Sequence, residues 1–248
     1  MKVVVLGSSG SAQSRNRACS SYLIDSRIVL DAGPGSFGNL LRYGANPLRI
    51  THVLITHMHG DHFFDLGSLV WGMSYLGRTD PLNVVGPPGI ERALRGMLEF
   101  ANTPRTFMRF DLKFTEIEPG ESLELEGYGK VRTAPGKHSV ADVAYRIGGL
   151  CYTGDTAPSD QIAKLCRGAE LLIHEATGLS ENEEYLNSVG HSSARQAAEI
   201  AVKSGTRRLL LTHIPPALSD KTGRLRSEAR KVFRESYVAR DLMEIDKV

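Results

Sequence analysis

Apolar residues along this chain gather into short runs: Val3–Leu6, Tyr22–Ile24, Ile28–Leu30, Val53–Ile55, Leu82–Val85, Tyr145–Ile147, Leu150–Tyr152, Leu171–Ile173 and Leu209–Leu211. Their length and β-branched content predict strands, several of them buried on both faces. Glycine-rich breaks separate the first few, so the N-terminal third reads as consecutive strands rather than strict strand–helix alternation. Helical spacing appears later. Ile90–Phe100 follows the turn Gly86-Pro87-Pro88-Gly89. A second helix is capped by Ser192 or Ser193 and runs through Lys203, with Ala194, Ala197, Ala198 and Ala201 on one face and Gly205 closing it. A third covers Ser227 to Tyr237, with Ala229, Val232, Phe233 and Tyr237 on a stripe. These stripes read as core packing. Asn102-Thr103-Pro104-Arg105 and Glu118-Pro119-Gly120 read as loops, too short to divide the chain, so residues 1–248 are expected to form a single α/β domain.

Polar residues fall on this pattern with one regularity. Val53–Thr56 runs into His57, Leu150–Thr153 into Gly154-Asp155, Leu171–Ile173 into His174-Glu175, and Leu209–Thr212 into His213. Four apolar strands thus end in a histidine or carboxylate, at the strand ends where open α/β sheets place their sites. The densest signal is His57-Met58-His59-Gly60-Asp61-His62. In extended chain, residues two apart point the same way, so His57 and His59 can grip one ion. Asp61 and His62, where the chain turns into Phe63–Leu76, can serve a second. Imidazole and carboxylate donors suit zinc, manganese or iron, and no thiolate is placed to contribute. Gly7-Ser8-Ser9-Gly10-Ser11 follows a strand but lacks both GxGxxG and a GK[ST] ending, so it reads as a strand connection near the site rather than a nucleotide loop.

Composition adds mainly exclusions. The chain has 248 residues, 41% hydrophobic and 23% charged, and a net charge of +2, so no strong overall field argues for nucleic acid or membrane. Local basic stretches lie at Arg207-Arg208 and from Lys221 to Lys231. No run approaches the ~20 apolar residues that cross a bilayer, and the N-terminal apolar run is too short for a signal peptide core. Cys19, Cys151 and Cys166, an odd set without CxxC spacing, fit reduced and inert thiols in a soluble, cytoplasmic protein.

The run from His57 to His62 resembles the HxHxDH signature of the metallo-β-lactamase-fold hydrolases. The likeness continues through Asp31 in Leu30-Asp31-Ala32-Gly33, His138 in Gly136-Lys137-His138-Ser139, Asp155 in Thr153-Gly154-Asp155-Thr156, and His213 in Leu211-Thr212-His213. It implies a four-layer αββα sandwich holding two divalent cations, zinc foremost, with Mn2+ or Fe2+ as alternatives. By the same resemblance His57, His59 and His138 hold one metal, Asp61, His62 and His213 the other, and Asp155 bridges them. Asp31 would brace the cradle, against the alternative of a turn aspartate before Gly33. His52 matches no motif and reads as a strand-start histidine.

Within that superfamily, Ile173-His174-Glu175-Ala176-Thr177 and Gly190-His191-Ser192-Ser193-Ala194 resemble two motifs of the ribonuclease Z branch. The segments Asn83–Ile90 and Ala229 to Met243 are also similar to that branch. The resemblance makes Glu175 and His191 a relay that protonates the leaving oxygen, while a hydroxide shared by two metals attacks phosphorus. His174 would carry no role. It points to a homodimer, away from any membrane, acting on an RNA end, a cyclic nucleotide or a small phosphodiester. Two features depart from the branch: only residues 139–154 separate His138 from Asp155, leaving no room for a tRNA-gripping arm, and Ile214-Pro215-Pro216-Ala217-Leu218 replaces the usual Ser-Pro-Arg-Tyr. A small-molecule hydrolase of lactones, thioesters or other acyl bonds remains a second reading, and a non-catalytic metal-binding scaffold a third.

Overall fold

The structure, a computed structural model, describes residues 1–104 and 106–248; Arg105, the last residue of the expected Asn102–Arg105 loop, lies outside the described residues. Strands β1 (Val3–Gly7), β2 (Ser21–Ile24), β3 (Ile28–Leu30), β4 (His52–Leu54), β5 (Leu82–Gly86), β6 (Leu112–Glu116) and the last strand, β14 (Glu244–Ile245), form one seven-stranded sheet. Its order is β14-β1-β2-β3-β4-β5-β6, antiparallel as far as β3 and parallel beyond it. The second sheet contains β7 (Ser122–Leu125), β8 (Gly129–Pro135), β9 (Val143–Ile147), β10 (Leu150–Tyr152), β11 (Leu171–Glu175), β12 (Leu209–Thr212) and β13 (Ser236–Val238). It repeats the scheme: β7 to β10 pair antiparallel, and β10 to β13 pair parallel. The helices are α1 (Ser36–Arg42), α2 (Gly60–Phe63), α3 (Asp65–Tyr75), α4 (Ile90–Phe100), α5 (Asp160–Leu165), α6 (Glu183–Ser188), α7 (Ala194–Ser204) and α8 (Thr222–Val232).

Strand period places alternate residues on opposite faces, and the apolar clusters follow that rule. Val3, Val5, Tyr22, Ile24, Leu30 and Leu54 of the first sheet meet Val131, Tyr145, Ile147, Tyr152, Ile173 and Leu210 of the second in one buried layer. The opposite face of the first sheet packs beneath Leu40, Leu66, Leu69, Val70 and Leu94 from α1, α3 and α4. The outer face of the second sheet packs beneath Ile162, Ala197, Ala198, Ala201 and Leu225 from α5, α7 and α8. Two sheets between two helical layers make the expected four-layer αββα sandwich. Among the described residues no helix is long and apolar enough to cross a membrane.

Every expected strand is present within a residue or two. β6, β7, β8, β13 and β14 are additional. Four of these lie at sheet edges, and β6 and β7 carry charged, largely exposed residues that hide an apolar alternation. The expected helix from Ser227 to Tyr237 is corrected: α8 spans Thr222–Val232, and Tyr237 belongs to β13. The chain turns extended at Phe233 (φ −135°), where the Ser236 hydroxyl donates to the Phe233 carbonyl and draws the backbone out of the helix. The thiol expectation is also corrected. Cys151 on β10 and Cys166 at the end of α5 are both fully buried with Cα atoms 5.5 Å apart, and they form a disulfide. Packing of α5 on the outer face of β10 creates that pair, which sequence spacing could not show. Cys19 is free and buried, and burial pushes its thiol up to about 12, which leaves it inert.

Helix α7 shows local sequence and packing acting together. Ser193 accepts from the Gln196 amide while the Gln196 side chain accepts from the Ser193 amide, a reciprocal cap, and Gly205 closes the helix at φ 62°. Ser193→Ala is expected to cost about 1 kcal/mol and to lower the unfolding midpoint by roughly 2–4 °C. Thermal unfolding at fixed metal content measures it, and an unchanged midpoint would show that the cap contributes nothing.

Candidate metal centre and active site

The site lies where the parallel strands of both sheets end. β4 delivers Thr56 and His57. His59, extended at φ −68° and ψ 147°, precedes α2, whose first turn carries Asp61 and His62. Beyond β10, Gly154 turns at φ 62° to present Asp155. β11 ends on Glu175, β12 runs into His213, and His138 follows β8. His213 (φ 56°) and Asp31 (φ 53°) are non-glycine residues in the left-handed region, a cost that marks sites whose geometry the surrounding structure enforces.

Candidate ligand atoms fall into four overlapping groups among the described residues, two of which, His138 with Asp155 and His191, and Glu175 with His191 and His213, draw in the His191 ring. His57, His59 and His138 form one group, and Asp61, His62, Asp155 and His213 another, with the ligand atoms of each within 4.8 Å of one another. Asp155 touches both: its Oδ2 lies 3.1 Å from His213 Nε2 and 3.8 Å from His57 Nε2, and its Oδ1 lies 3.3 Å from His62 Nε2. Three of these buried atoms, His57 Nε2, His62 Nε2 and Asp155 Oδ1, have no hydrogen-bond partner among the described residues. Orphaned polar atoms at such burial are costly unless something else ligates them. The residues therefore fit two divalent cations, with imidazole and carboxylate donors of the kind that zinc, manganese and iron take.

Behind the cluster, four of the rings are held by Nδ1, while His59 Nδ1 lies 3.1 Å from His138 Nε2 within it. His62 Nδ1 is 2.7 Å from Asp31 Oδ2, His57 Nδ1 is 2.9 Å from Asp142 Oδ2, His138 Nδ1 is 2.9 Å from the Gly190 carbonyl, and His213 Nδ1 is 2.9 Å from Thr177 Oγ1. These contacts leave the Nε2 atoms free to converge, the arrangement that orients metal-binding histidines. Asp31 is wholly buried and also accepts from the Thr56 amide and from the Tyr152 hydroxyl of the other sheet. It is thus a brace and not a turn residue. The first strand connection does border the site: the Ser11 amide donates to Asp61 Oδ2 at 2.6 Å, and a Cβ on Gly10 would sit 2.3 Å from His213 Nδ1.

Glu175 is fully buried, and its Oε1 accepts from the Thr156 amide and lies 2.8 Å from His191 Nδ1. Its Oε2 accepts from Thr177 Oγ1 at 2.6 Å. His191 stands beside the ligand cluster, with Nδ1 4.0 Å from Asp155 Oδ2. Burial alone would lower the His191 pKa, but its hydrogen bond to Glu175 and the surrounding carboxylates hold it up at about 9. Burial pushes His57 the other way, to about 4, with the nearby His62 adding to the effect. Burial also opposes the charged form of Asp61, yet the hydrogen bond with His213 and the charge of His62 hold it below the usual carboxylate range. His174 faces away with Nδ1 2.8 Å from the Glu175 carbonyl, and His52 begins β4; neither joins the cluster.

Sequence reading missed Asp142 and Thr177. Asp142 is buried, lies against His57 and accepts from the Asp155 amide, and a Cβ on Gly136 or Gly154 would collide with its carboxylate. Burial, with Asp155 and Asp31 nearby, pushes its carboxyl well above the ordinary range. The available signal was an acid placed directly before the wholly apolar face of β9. Asp142→Ala is expected to weaken metal retention by about 10–100-fold, read as metal content after graded chelation. Unaltered retention would leave Asp142 with only a packing role.

Fold and donor set together define a metal-dependent hydrolase built on two stacked sheets. Residues 26–214 match the family described as the Beta-lactamase superfamily domain, and the chain belongs to that superfamily and to its ribonuclease Z branch. It is 31% identical to the ribonuclease Z of Methanothermobacter thermautotrophicus, over 99% of this chain and 96% of that protein. That alignment runs over 301 positions against 248 residues here, so the archaeal relative carries segments that this chain lacks. Among solved structures it is similar to the human short-form tRNase Z (26% identity, TM-score 0.83, 99% of both chains). It is also similar to the metallo-beta-lactamase fold protein YhfI of Bacillus subtilis (25% identity, TM-score 0.82, 98% of both chains).

Proposed function

We propose that this protein hydrolyses phosphodiesters with two divalent cations, zinc the best fit, and that an RNA end is its substrate class. The carrying observation is the pairing of half-buried His191 with buried Glu175 at 2.8 Å beside Asp155. An acyl hydrolase expelling a stabilised leaving group has little need of such a pair, whereas a nucleoside alkoxide must be protonated as it departs. His57, His59 and His138 would hold one cation, Asp61, His62 and His213 the second, with Asp155 between them. When bound, the metals would acidify a water and neutralise charge on the substrate's oxygens.

The remaining work falls to the chain's own groups. Asp61, kept as a carboxylate and fixed by the Ser11 amide, orients the attacking water and accepts its proton. His191 keeps a proton because Glu175 opposes it, and it gives that proton to the departing oxygen. Glu175 is held by the Thr156 amide and the Thr177 hydroxyl, so the imidazole cannot swing away. Its relatives named ribonuclease Z and tRNase Z support an RNA substrate. Residues 139–154, occupied here largely by the β9–β10 hairpin, leave the site without a gripping arm and open to RNA ends other than tRNA. A homodimer is part of the same reading, and sedimentation velocity reads it.

Turnover of bis(p-nitrophenyl) phosphate, beside a lactone panel and with metal measured on the same sample, tests the reading. Phosphodiester hydrolysis without lactone hydrolysis is expected. Lactone hydrolysis alone would transfer the site to the acyl class, and full metal loading with neither activity would leave a scaffold.

A further inference from the structure

A second polar cavity lies beyond the metal centre, behind the loop that carries Ser11. It has a volume of about 340 Å³ and is bounded by residues 13–18, by Asn39 and Arg42 of α1, and by Asp241 and Leu242 near the C-terminus. Three arginines line it, Arg15, Arg17 and Arg42, against a single carboxylate, Asp241. That carboxylate is already engaged: Oδ1 accepts from Ser8 Oγ, and Oδ2 from the Ala18 amide and Asn39 Nδ2. Burial pushes its carboxyl above the ordinary range, against the hydrogen bonds that hold it.

Arg17 is the telling residue. It is only 8% exposed, yet its hydrogen bonds within the protein are confined to Nη1, which donates to Ser8 Oγ and the Ala239 carbonyl. Both acceptors are neutral, and Arg17 has no ion pair among the described residues, although Asp241 and Asp220 are near enough to influence it. Arg15 and Arg42 likewise have no carboxylate partner among them. Arg17 Nε and Nη2 have no protein acceptor among the described residues but are not sealed from solvent, so they are open to the cavity, where an anion would complete them. The planar fork of Arg suits the oxygens of a phosphate in particular. A cavity of this size holds one nucleotide.

We propose that this cavity is a separate phosphate-binding site, taking the phosphate of a nucleoside monophosphate or of a nucleotide in a bound RNA. The same loop reaches the metal centre through the Ser11 amide on Asp61, so an occupant there lies one loop away from the reacting groups. The RNA source rests on the phosphodiesterase reading above; the free nucleotide does not.

The double variant Arg15→Ala/Arg42→Ala tests the site on the metal-loaded protein, with Arg17 kept because its burial makes it part of the fold. Calorimetry with adenosine 5′-monophosphate reads binding, while hydrolysis of bis(p-nitrophenyl) phosphate and of a short single-stranded RNA reads turnover. Expected is a loss of nucleotide affinity of about tenfold or more, with bis-aryl turnover within about twofold of the parent. A parallel rise in KM for RNA identifies the occupant as a substrate phosphate, and an unchanged KM identifies a free nucleotide. Unchanged nucleotide affinity together with unchanged KM for RNA overturns the proposal, as does an equal fall in bis-aryl turnover, which would place the loss at the metals. If the parent hydrolysed neither phosphodiester, the metal-centre reading would fall, and calorimetry would still decide the cavity.

Discussion

Asp155→Ala is expected to empty both metal positions and to remove phosphodiester turnover in one step. Asp155 is the residue whose two oxygens face histidines of both ligand groups, at 3.1 and 3.3 Å on one side and 3.8 Å on the other. Without it, His57, His62 and His213 crowd around a gap with nothing to balance two dications. Metal per chain should fall below about one tenth of the parent, and turnover by roughly 10³-fold or more. Elemental analysis after gel filtration, with circular dichroism on the same sample, measures this. Because alanine could also unsettle the β10 end, Asp155→Asn serves as the gentler companion. Full retention of two metals in a folded Asp155→Asn protein would remove Asp155 from the bridging role.

The second large effect belongs to His191→Ala, and its signature is different. His191 is hydrogen-bonded to Glu175 and stands outside the two proposed ligand sets, so both metals should stay in place; loss of metal would instead make it a ligand, since it also lies within reach of His138 and Asp155. Only proton delivery is lost, slowing the chemical step by about 10²–10⁴-fold on an RNA substrate. A nitrophenolate departs without needing a proton, so bis(p-nitrophenyl) phosphate should lose far less. That contrast separates a proton donor from a packing residue, which would slow both substrates alike. Equal losses on the two substrates, or full turnover on RNA, would end the relay.

Much of the candidate site was legible because its expected ligands sit at strand ends. A strand buried on both faces writes an uninterrupted apolar run, and a histidine or carboxylate directly after it is conspicuous. β4, β11 and β12 are of this kind, and so His57, Glu175 and His213 stood out. Edge strands such as β6 and β7 expose much of their length, which blurs the alternation into ordinary polar chain. Asp142 and Thr177 were hidden for another reason. Their work is to hold a neighbour's ring, and the neighbour is distant in sequence: Asp142 meets His57, and Thr177 meets His213. No local spacing encodes such a contact. Asp31 stood between two readings until the fold placed Thr56, His62 and Tyr152 around it. The Cys151–Cys166 pair, likewise, is a product of how α5 lies on the second sheet.

The candidate metal donors come from two halves of the molecule. His57, His59, Asp61 and His62 hang from the first sheet, while His138, Asp155 and His213 hang from the second. Tyr152 and Tyr145 reach across the same boundary to Asp31 and to the Ile55 carbonyl. Each bound ion would therefore act as a rivet through the seam, joining sheets that the chain itself links twice, from β6 to β7 and from β13 to β14. Neither half carries a whole binding site, so a nascent chain has no complete site until His213 has been made and both sheets have closed. Metal uptake would then depend on the two halves having met in register.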